Sequence, residues 1–312
     1  MIELQGVSKQ FGAMTAVRNV SFRLEPGEIT GLLGPNGAGK TTSIRMMTAY
    51  LAPTAGKVLI GGTDLAVDPG LGRSRLGYLP ESTPLYPEMQ VEQYIRYRGA
   101  LAGMGRREAG MAAGREIERC LLSGVRQQRV GTLSKGFRQR VGLAGALVHD
   151  PEVVILDEPG NGLDPAQIVQ FRSVVSELAQ KRTMLISSHI LAEVERMCSR
   201  VLVIGGGELL ADGSIAKMTR GSGRIVVSCA EGDGARLREG FEKGGWSVHT
   251  LKGEPGEVRL SVMKVNMTRQ KVVELAASVS VVLSELREDQ PSLERAFMEI
   301  LEKAGRGGRG AA

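Results

Sequence analysis

The octapeptide Gly34-Pro35-Asn36-Gly37-Ala38-Gly39-Lys40-Thr41 constrains the fold more than any other stretch of this chain. Its glycines let successive backbone amides turn inward around an anion, and a helix started directly after them adds the positive end of its dipole. The flanks supply that context. Residues 29–33 read as a short buried strand, and Ile44, Met47 and Leu51 recur at helical spacing after the loop. Strand, loop and helix in that order make a phosphate cradle. Lys40 is placed to reach the β and γ phosphates of a nucleotide, Thr41 to offer magnesium a hydroxyl oxygen, and Thr42 to steady the α phosphate side.

Strand and helix patterns alternate around this loop. Strands are predicted at 2–7 and 17–24, with a turn at Glu25-Pro26-Gly27-Glu28, and residues from about 84 to 148 read as a helical insertion. Alternation resumes with strand 153–156, helix 166–181, strand 184–187, helix 190–198 and strand 201–204, which is α/β winding. Turns at Gly205-Gly206-Gly207 and Asp212-Gly213-Ser214 close this part, and Gly221-Ser222-Gly223 reads as a linker. The organisation expected is therefore a nucleotide-binding domain over 1–220 with a helical subdomain at about 84–148, a small α+β domain over 221–304, and a flexible tail over 305–312. The small domain has the βαββαβ order of a ferredoxin-like fold, followed by a helix striped with Leu293, Phe297, Ile300 and Leu301. No second glycine-rich phosphate loop occurs, which excludes internal duplication of the nucleotide domain.

A chain of 312 residues, 42% hydrophobic and 24% charged, can bury one large core or a large and a small one. No apolar run approaches the roughly 18 to 20 residues that span a bilayer. The start, Met1-Ile2-Glu3-Leu4-Gln5, has no basic and apolar signal regions, so the expected compartment is the cytoplasm. The net charge of +6 suits nucleotide anions, an acidic membrane surface or nucleic acid alike. Little aromatic interleaving among the basic residues argues against a single-strand stacking platform, and no nucleic-acid partner is expected. Cys120, Cys198 and Cys229 are widely spaced and odd in number, as three reduced thiols.

Three further groups bear on chemistry. Asp157, at the end of an apolar strand, fits support of magnesium; Glu158 is placed to polarise an attacking water; and His189, after strand 184–187, is placed to contact the γ phosphate. The stretch Leu133-Ser134-Lys135-Gly136-Phe137-Arg138-Gln139-Arg140 has the look of a second phosphate-binding site. One nucleotide cannot occupy two distant loops of a subunit unless the fold turns back on itself or two subunits pair, and pairing explains it better.

Together with Leu156-Asp157-Glu158-Pro159, Gly162-Leu163-Asp164-Pro165 and Ser188-His189, these motifs occur in the order of ATP-binding cassette (ABC) ATPases, which the first two-thirds of the chain resembles. The resemblance implies a P-loop NTPase fold of the ABC type, ATP and Mg2+ as cofactors, and a head-to-tail dimer with ATP held between one subunit's phosphate loop and the other's signature loop. It also implies that Phe11 stacks on adenine, that Ser134, Lys135 and Gly136 face the partner's nucleotide, and that Asp164 links the two sites. Glu81 stands where many members carry a magnesium-ligating glutamine, Lys135 and Phe137 replace a usual glycine and glutamine, and Gly160-Asn161 replaces Thr-Ser. These departures resemble the branch serving type-2 ABC exporters, including gliding-motility and multidrug types, as does Pro291-Ser292-Leu293-Glu294-Arg295-Ala296-Phe297.

The function implied is an ATP-hydrolysing subunit, peripheral at the inner face of the cell membrane, that dimerises on ATP and drives a separately encoded integral membrane permease. A soluble ABC ATPase acting on nucleic acid or the ribosome is the alternative, although such members carry two cassettes or a long coiled coil. Replacement of Lys40 by alanine deletes the charge that complements the phosphates, so Lys40→Ala is expected to abolish ATP binding in an equilibrium nucleotide-binding assay. Full ATPase activity in that variant would contradict the assignment of the loop.

Overall fold

The computed structural model describes residues 1–219, 224–264, 268–288 and 292–307, with side chains as far as 304. The predicted linker at Gly221-Ser222-Gly223, Pro291 and the last part of the predicted tail, 308–312, lie outside the described residues. Contacts divide the chain into two units, Met1–Ile215 with the chain from Phe297 onward, and Ala216–Ala296.

The first unit opens with an antiparallel hairpin, β1 (Ile2–Phe11) and β2 (Met14–Leu24). Both strands outrun their sequence predictions. Register shifts after Leu4, Val7 and Lys9 interrupt the alternation of buried and exposed positions, so that Ser8-Lys9-Gln10 reads as loop when it is ladder. The buried strand β3 (Ile29–Leu33) feeds the glycine-rich loop and α1 (Lys40–Met47), after which β4 (Ala55–Ile60) and β5 (Thr63–Asp64) join the hairpin in the order β2-β1-β4-β5. Strand β4 has no apolar alternation in its first three residues, Ala-Gly-Lys, which hid it in the sequence. A short helix α2 (Pro69–Ser74), capped by Asp68, leads into β6 (Leu76–Leu79).

The helical insertion consists of α3 (Val91–Leu101), α4 (Arg106–Arg119) and α5 (Lys135–Leu147), with turns between them. The chain then winds through β7 (Val153–Asp157), α6 (Pro165–Ala179), β8 (Thr183–Ser187), α7 (Leu191–Met197), β9 (Arg200–Gly205) and β10 (Glu208–Ser214). The second sheet has the order β10-β9-β3-β8-β7-β6, parallel throughout except for β10. Every residue of β3, β7 and β8 is buried, because parallel strands covered on both faces are apolar without alternation. Helix α1 joins the two sheets through Ile44, Met46 and Met47, all inside one core with Leu4, Val17, Leu32, Ile155 and Leu202.

After α8 (Ile215–Met218), the second unit runs β11 (Arg224–Ala230), α9 (Gly234–Lys243), β12 (Ser247–Leu251), β13 (Glu257–Met263), α10 (Arg269–Ser278) and β14 (Glu285–Glu288). Its sheet order is β12-β13-β11-β14 with all neighbours antiparallel. The last strand begins at Glu285, and Val281 before it packs in the core outside the ladder. Helix α11 (Leu293–Gly307) carries the predicted terminal stripe and extends to Gly307, so positions 305–307 of the expected tail have helical backbone. Phe241 is fully buried in this unit's core, with its ring centroid 5.2 Å from that of Trp246, the chain's one tryptophan. Phe241→Ala is expected to cost this unit about 3–5 kcal/mol, read as an earlier Trp246 fluorescence transition in urea; an unchanged midpoint would contradict the packing described.

Candidate functional site: a nucleotide cleft at the carboxyl edge of the parallel sheet

The phosphate loop is fixed by close approach on both sides. A methyl group at Gly34 would run into the Ile204 carbonyl oxygen of β9, so only glycine lets the loop leave β3 there. Gly39 starts α1 in the left-handed region, at φ 105°. The Gly207 N–H donates to Ala38 O at 3.1 Å, and Arg18 N donates to Gly207 O at 2.8 Å, so the β9–β10 turn straps the loop to β2. Lys40 folds back over the loop, with Nζ donating to Gly34 O at 2.6 Å and Pro35 O at 3.1 Å. Burial pulls this ammonium below the ordinary lysine value, while Glu158 and Asp157 pull it back up.

The acidic side of the cleft is built by register. Asp157 ends β7 opposite Ser187, the end of β8, and accepts from Ser187 Oγ at 2.5 Å. The same oxygen accepts from Glu158 N at 3.0 Å. One hydroxyl thus orients both acids. Burial raises Asp157 above the usual carboxylate range, the Ser187 hydrogen bond opposes this, Glu158 and Glu81 add to the rise, and Lys40 again opposes it. Glu158 adopts a left-handed backbone at φ 49°, a costly conformation for a residue with a Cβ, and its Oε2 lies 2.7 Å from His189 Nδ1. Glu81 follows β6 and accepts from Asn161 Nδ2 at 3.2 Å.

These groups line one cavity of about 740 Å³: Asn36 to Thr42 on one wall, and Glu81, Asp157, Glu158 and His189 facing them. Gly34 and Pro35 sit just behind, as partners of Lys40. Thr41 and Asp157 supply the hard oxygens magnesium prefers, with Glu81 on the same wall. Among the described residues no group of three or more His, Cys, Asp or Glu side chains could hold a metal ion alone. Magnesium at nucleotide sites is ordinarily held by one or two carboxylates plus the phosphates, so this donor set fits it.

The remaining predicted residues stand elsewhere. Ser134 caps α5, its Oγ accepting from Phe137 N at 3.4 Å; Gly136 backs directly onto the Gln167 side chain; and Lys135 lies along Gly162. Asp164 caps α6 by accepting from Gln167 N at 2.8 Å. None of these four lines the cavity. Phe11 also stands off its lining, exposed at the hairpin end with Lys9 Nζ 5.4 Å from its ring centroid; Met14, Thr15 and Ala16 line the cavity instead. Sequence reasoning missed those three, together with Ser187, Gly206 and Gly207. The triple glycine was the available signal for the strap, and Ser187 had no local signal. Cys120, Cys198 and Cys229 are buried free thiols, as the sequence implied, and burial pushes the Cys198 thiol up to about 12.

A phosphate loop, an acid pair at the end of a buried parallel strand and a histidine just beyond the next strand define a nucleotide-hydrolysing cassette. The family model for the ABC transporter domain matches residues 17–161. The ABC transporter ATP-binding protein NatA of Bacillus subtilis (strain 168) is 37% identical over 224 residues, 70% of this chain and 91% of that protein. The Nod factor export ATP-binding protein I of Paraburkholderia xenovorans (strain LB400) is 38% identical over 214 residues, 68% of this chain and 70% of that protein. A solved structure of an ATP-binding subunit of an ABC transporter superposes with a TM-score of 0.65 at 30% identity, covering 70% of this chain and 92% of that one. The chain belongs to the ABC transporter ATP-binding protein family and is an ATPase of that family.

Removal of the Ser187 hydroxyl takes from the buried Asp157 carboxylate its hydroxyl donor, a loss of about 1–3 kcal/mol, while Glu158 N keeps the Ser187 carbonyl oxygen at 3.2 Å. Ser187→Ala is expected to slow ATP hydrolysis at least about tenfold while ATP affinity stays within about threefold. Steady-state kinetics beside equilibrium nucleotide binding check this, and wild-type turnover would contradict the role of the hydroxyl.

Proposed function

We propose that this chain is the ATP-hydrolysing subunit of an exporter, working as a pair with a second, identical ATPase subunit at the inner face of the cell membrane and driving a separately encoded membrane permease. The observation that carries the reading is the division of the motifs. The phosphate loop and the acids share one cavity, whereas Ser134, Lys135, Gly136 and Asp164 stand outside it. In the proposed dimer, each signature helix start completes the nucleotide site of the other subunit. Its amide-bearing N-terminus then faces the γ phosphate from the side opposite Lys40.

Within one subunit the roles follow from the atoms present. The loop amides and Lys40 hold the phosphates, while Thr41, Asp157 and Glu81 would hold Mg2+, which would supply charge neutralisation at the phosphates. Glu158 accepts the proton of the attacking water, and His189, 2.7 Å from its carboxylate, fixes the direction of that acceptor. In the first unit, a second cavity of about 420 Å³ beside the helical insertion is lined by Tyr50, Tyr78, Pro84, Arg98, Leu101 and His149 among others. Tyr50 and Leu101 are 77% and 64% exposed, which suits a surface that a permease segment covers. Among the described residues no helix is long and apolar enough to cross a membrane, so the transport path would belong to the partner. The export direction draws on the exporter names among the relatives.

Glu158→Gln keeps the shape of the side chain and removes its basicity. With saturating ATP and magnesium it is expected to retain nucleotide and run as a stable dimer in light scattering, and a persistent monomer would contradict the paired site. A membrane protein copurifying with the wild-type chain supports the transport reading; nuclease-sensitive association in its place would contradict it.

A further inference from the structure

Asn161 has no part in the roles assigned above, yet it touches two of the residues that do. Its Nδ2 donates to Glu81 Oε1 at 3.2 Å across eighty positions of sequence. Its backbone N–H donates to Glu158 O at 3.1 Å, closing a turn directly behind that acid, and Leu163 N donates to Gly160 O at 3.1 Å to continue the turn. Asn161 is thereby anchored to the main chain of Glu158 while its side chain grips the loop that follows β6.

The grip answers an electrostatic difficulty. Glu81, Asp157 and Glu158 line the same cavity, and like charges in one cleft repel. A carboxylate on a loop relieves that repulsion by swinging into solvent. A lysine or arginine would hold it in place but would neutralise the charge that a divalent cation needs. A neutral amide donor restrains the direction of the carboxylate and leaves its charge intact. Serine, with a single short hydroxyl arm, is a poor substitute at this reach. Two of the departures noted in the sequence, Glu81 and Asn161, are hydrogen-bonded to each other.

We propose that Asn161 is a positioning residue that aims the Glu81 carboxylate into the cation site and couples it to the backbone of Glu158, so that the metal acceptor and the water-activating acid are held as one unit. The proposal deepens the function put forward above and rests on its assignment of Glu81 to the cation.

The test uses the purified full chain with ADP and Mn2+ as the probe, and reads Mn2+ affinity by electron paramagnetic resonance in the wild type, E81A, E81Q, N161S, N161D and E81Q/N161D. Nucleotide affinity in EDTA and melting temperature serve as structural controls. N161D sets a carboxylate against Glu81 and is expected to weaken Mn2+ about tenfold; N161S loses the contact and is expected to weaken it about threefold. In E81Q/N161D the introduced amide donates to the introduced carboxylate, so Mn2+ binds there at least as tightly as in E81Q alone. Equal penalties for N161D in the wild-type and E81Q backgrounds, or no penalty in the wild-type background, overturn the proposal. Unchanged Mn2+ affinity in E81A overturns the assignment of Glu81 itself, and the proposal with it. Should N161D fail to fold, N161S carries the decision, and wild-type affinity there overturns the proposal.

Discussion

Five parallel strands, β9, β3, β8, β7 and β6, run side by side and present their carboxyl ends at one edge of the sheet. The register of this sheet is the constraint on which the site depends. It sets Asp157 opposite Ser187, so that one buried hydroxyl orders both Asp157 and the start of the turn carrying Glu158. It also brings the Ile204 carbonyl of β9 against Gly34, which directs the phosphate loop over the same edge. Ligands in open α/β sheets bind outside the carboxyl ends of strands for this reason: loops from several strands converge there while the buried strands hold them still.

The electrostatics of the cleft follow from that convergence. Burial disfavours the charged forms of both Lys40 and Asp157, and the two sides compensate each other across the cavity. Three carboxylates gathered near one point are costly unless a cation joins them. The fold accepts this cost at the place where a divalent ion and a triphosphate would bind together. The strained backbone of Glu158 belongs to the same logic, since its N–H must face Ser187 while its side chain reaches His189.

Much of this was legible in the sequence where the chemistry is local. Gly34 to Thr42 is a contiguous motif, and Asp157-Glu158 closes an unbroken apolar strand, so both could be read without knowing the fold. Ser187, Asn161 and Gly207 were not legible as parts of the site. Each acts on a residue far along the chain, Asp157, Glu81 and Ala38 respectively; nothing at short range marks Ser187, and the glycine run at 205–207 and the Gly160-Asn161 pair show a turn without showing what it touches. The hairpin of β1 and β2 was shortened in the reading because its bulges break the period of two, and β4 was missed because it begins on Ala-Gly-Lys. The βαββαβ order of the second unit was legible from apolar runs separated by turn residues, and its elements follow in that order.

The paired arrangement of the motifs is the central claim, and a cysteine at position 36 of one chain with a cysteine at position 135 of another tests it most directly. The native thiols are all buried, so the introduced pair reports alone. In the Glu158→Gln background the account predicts that Asn36→Cys and Lys135→Cys chains, when mixed, form an intermolecular disulfide with ATP and not without it. A double-cysteine chain that closes the bond within one monomer, or a mixture that gives no cross-link with ATP, would contradict it.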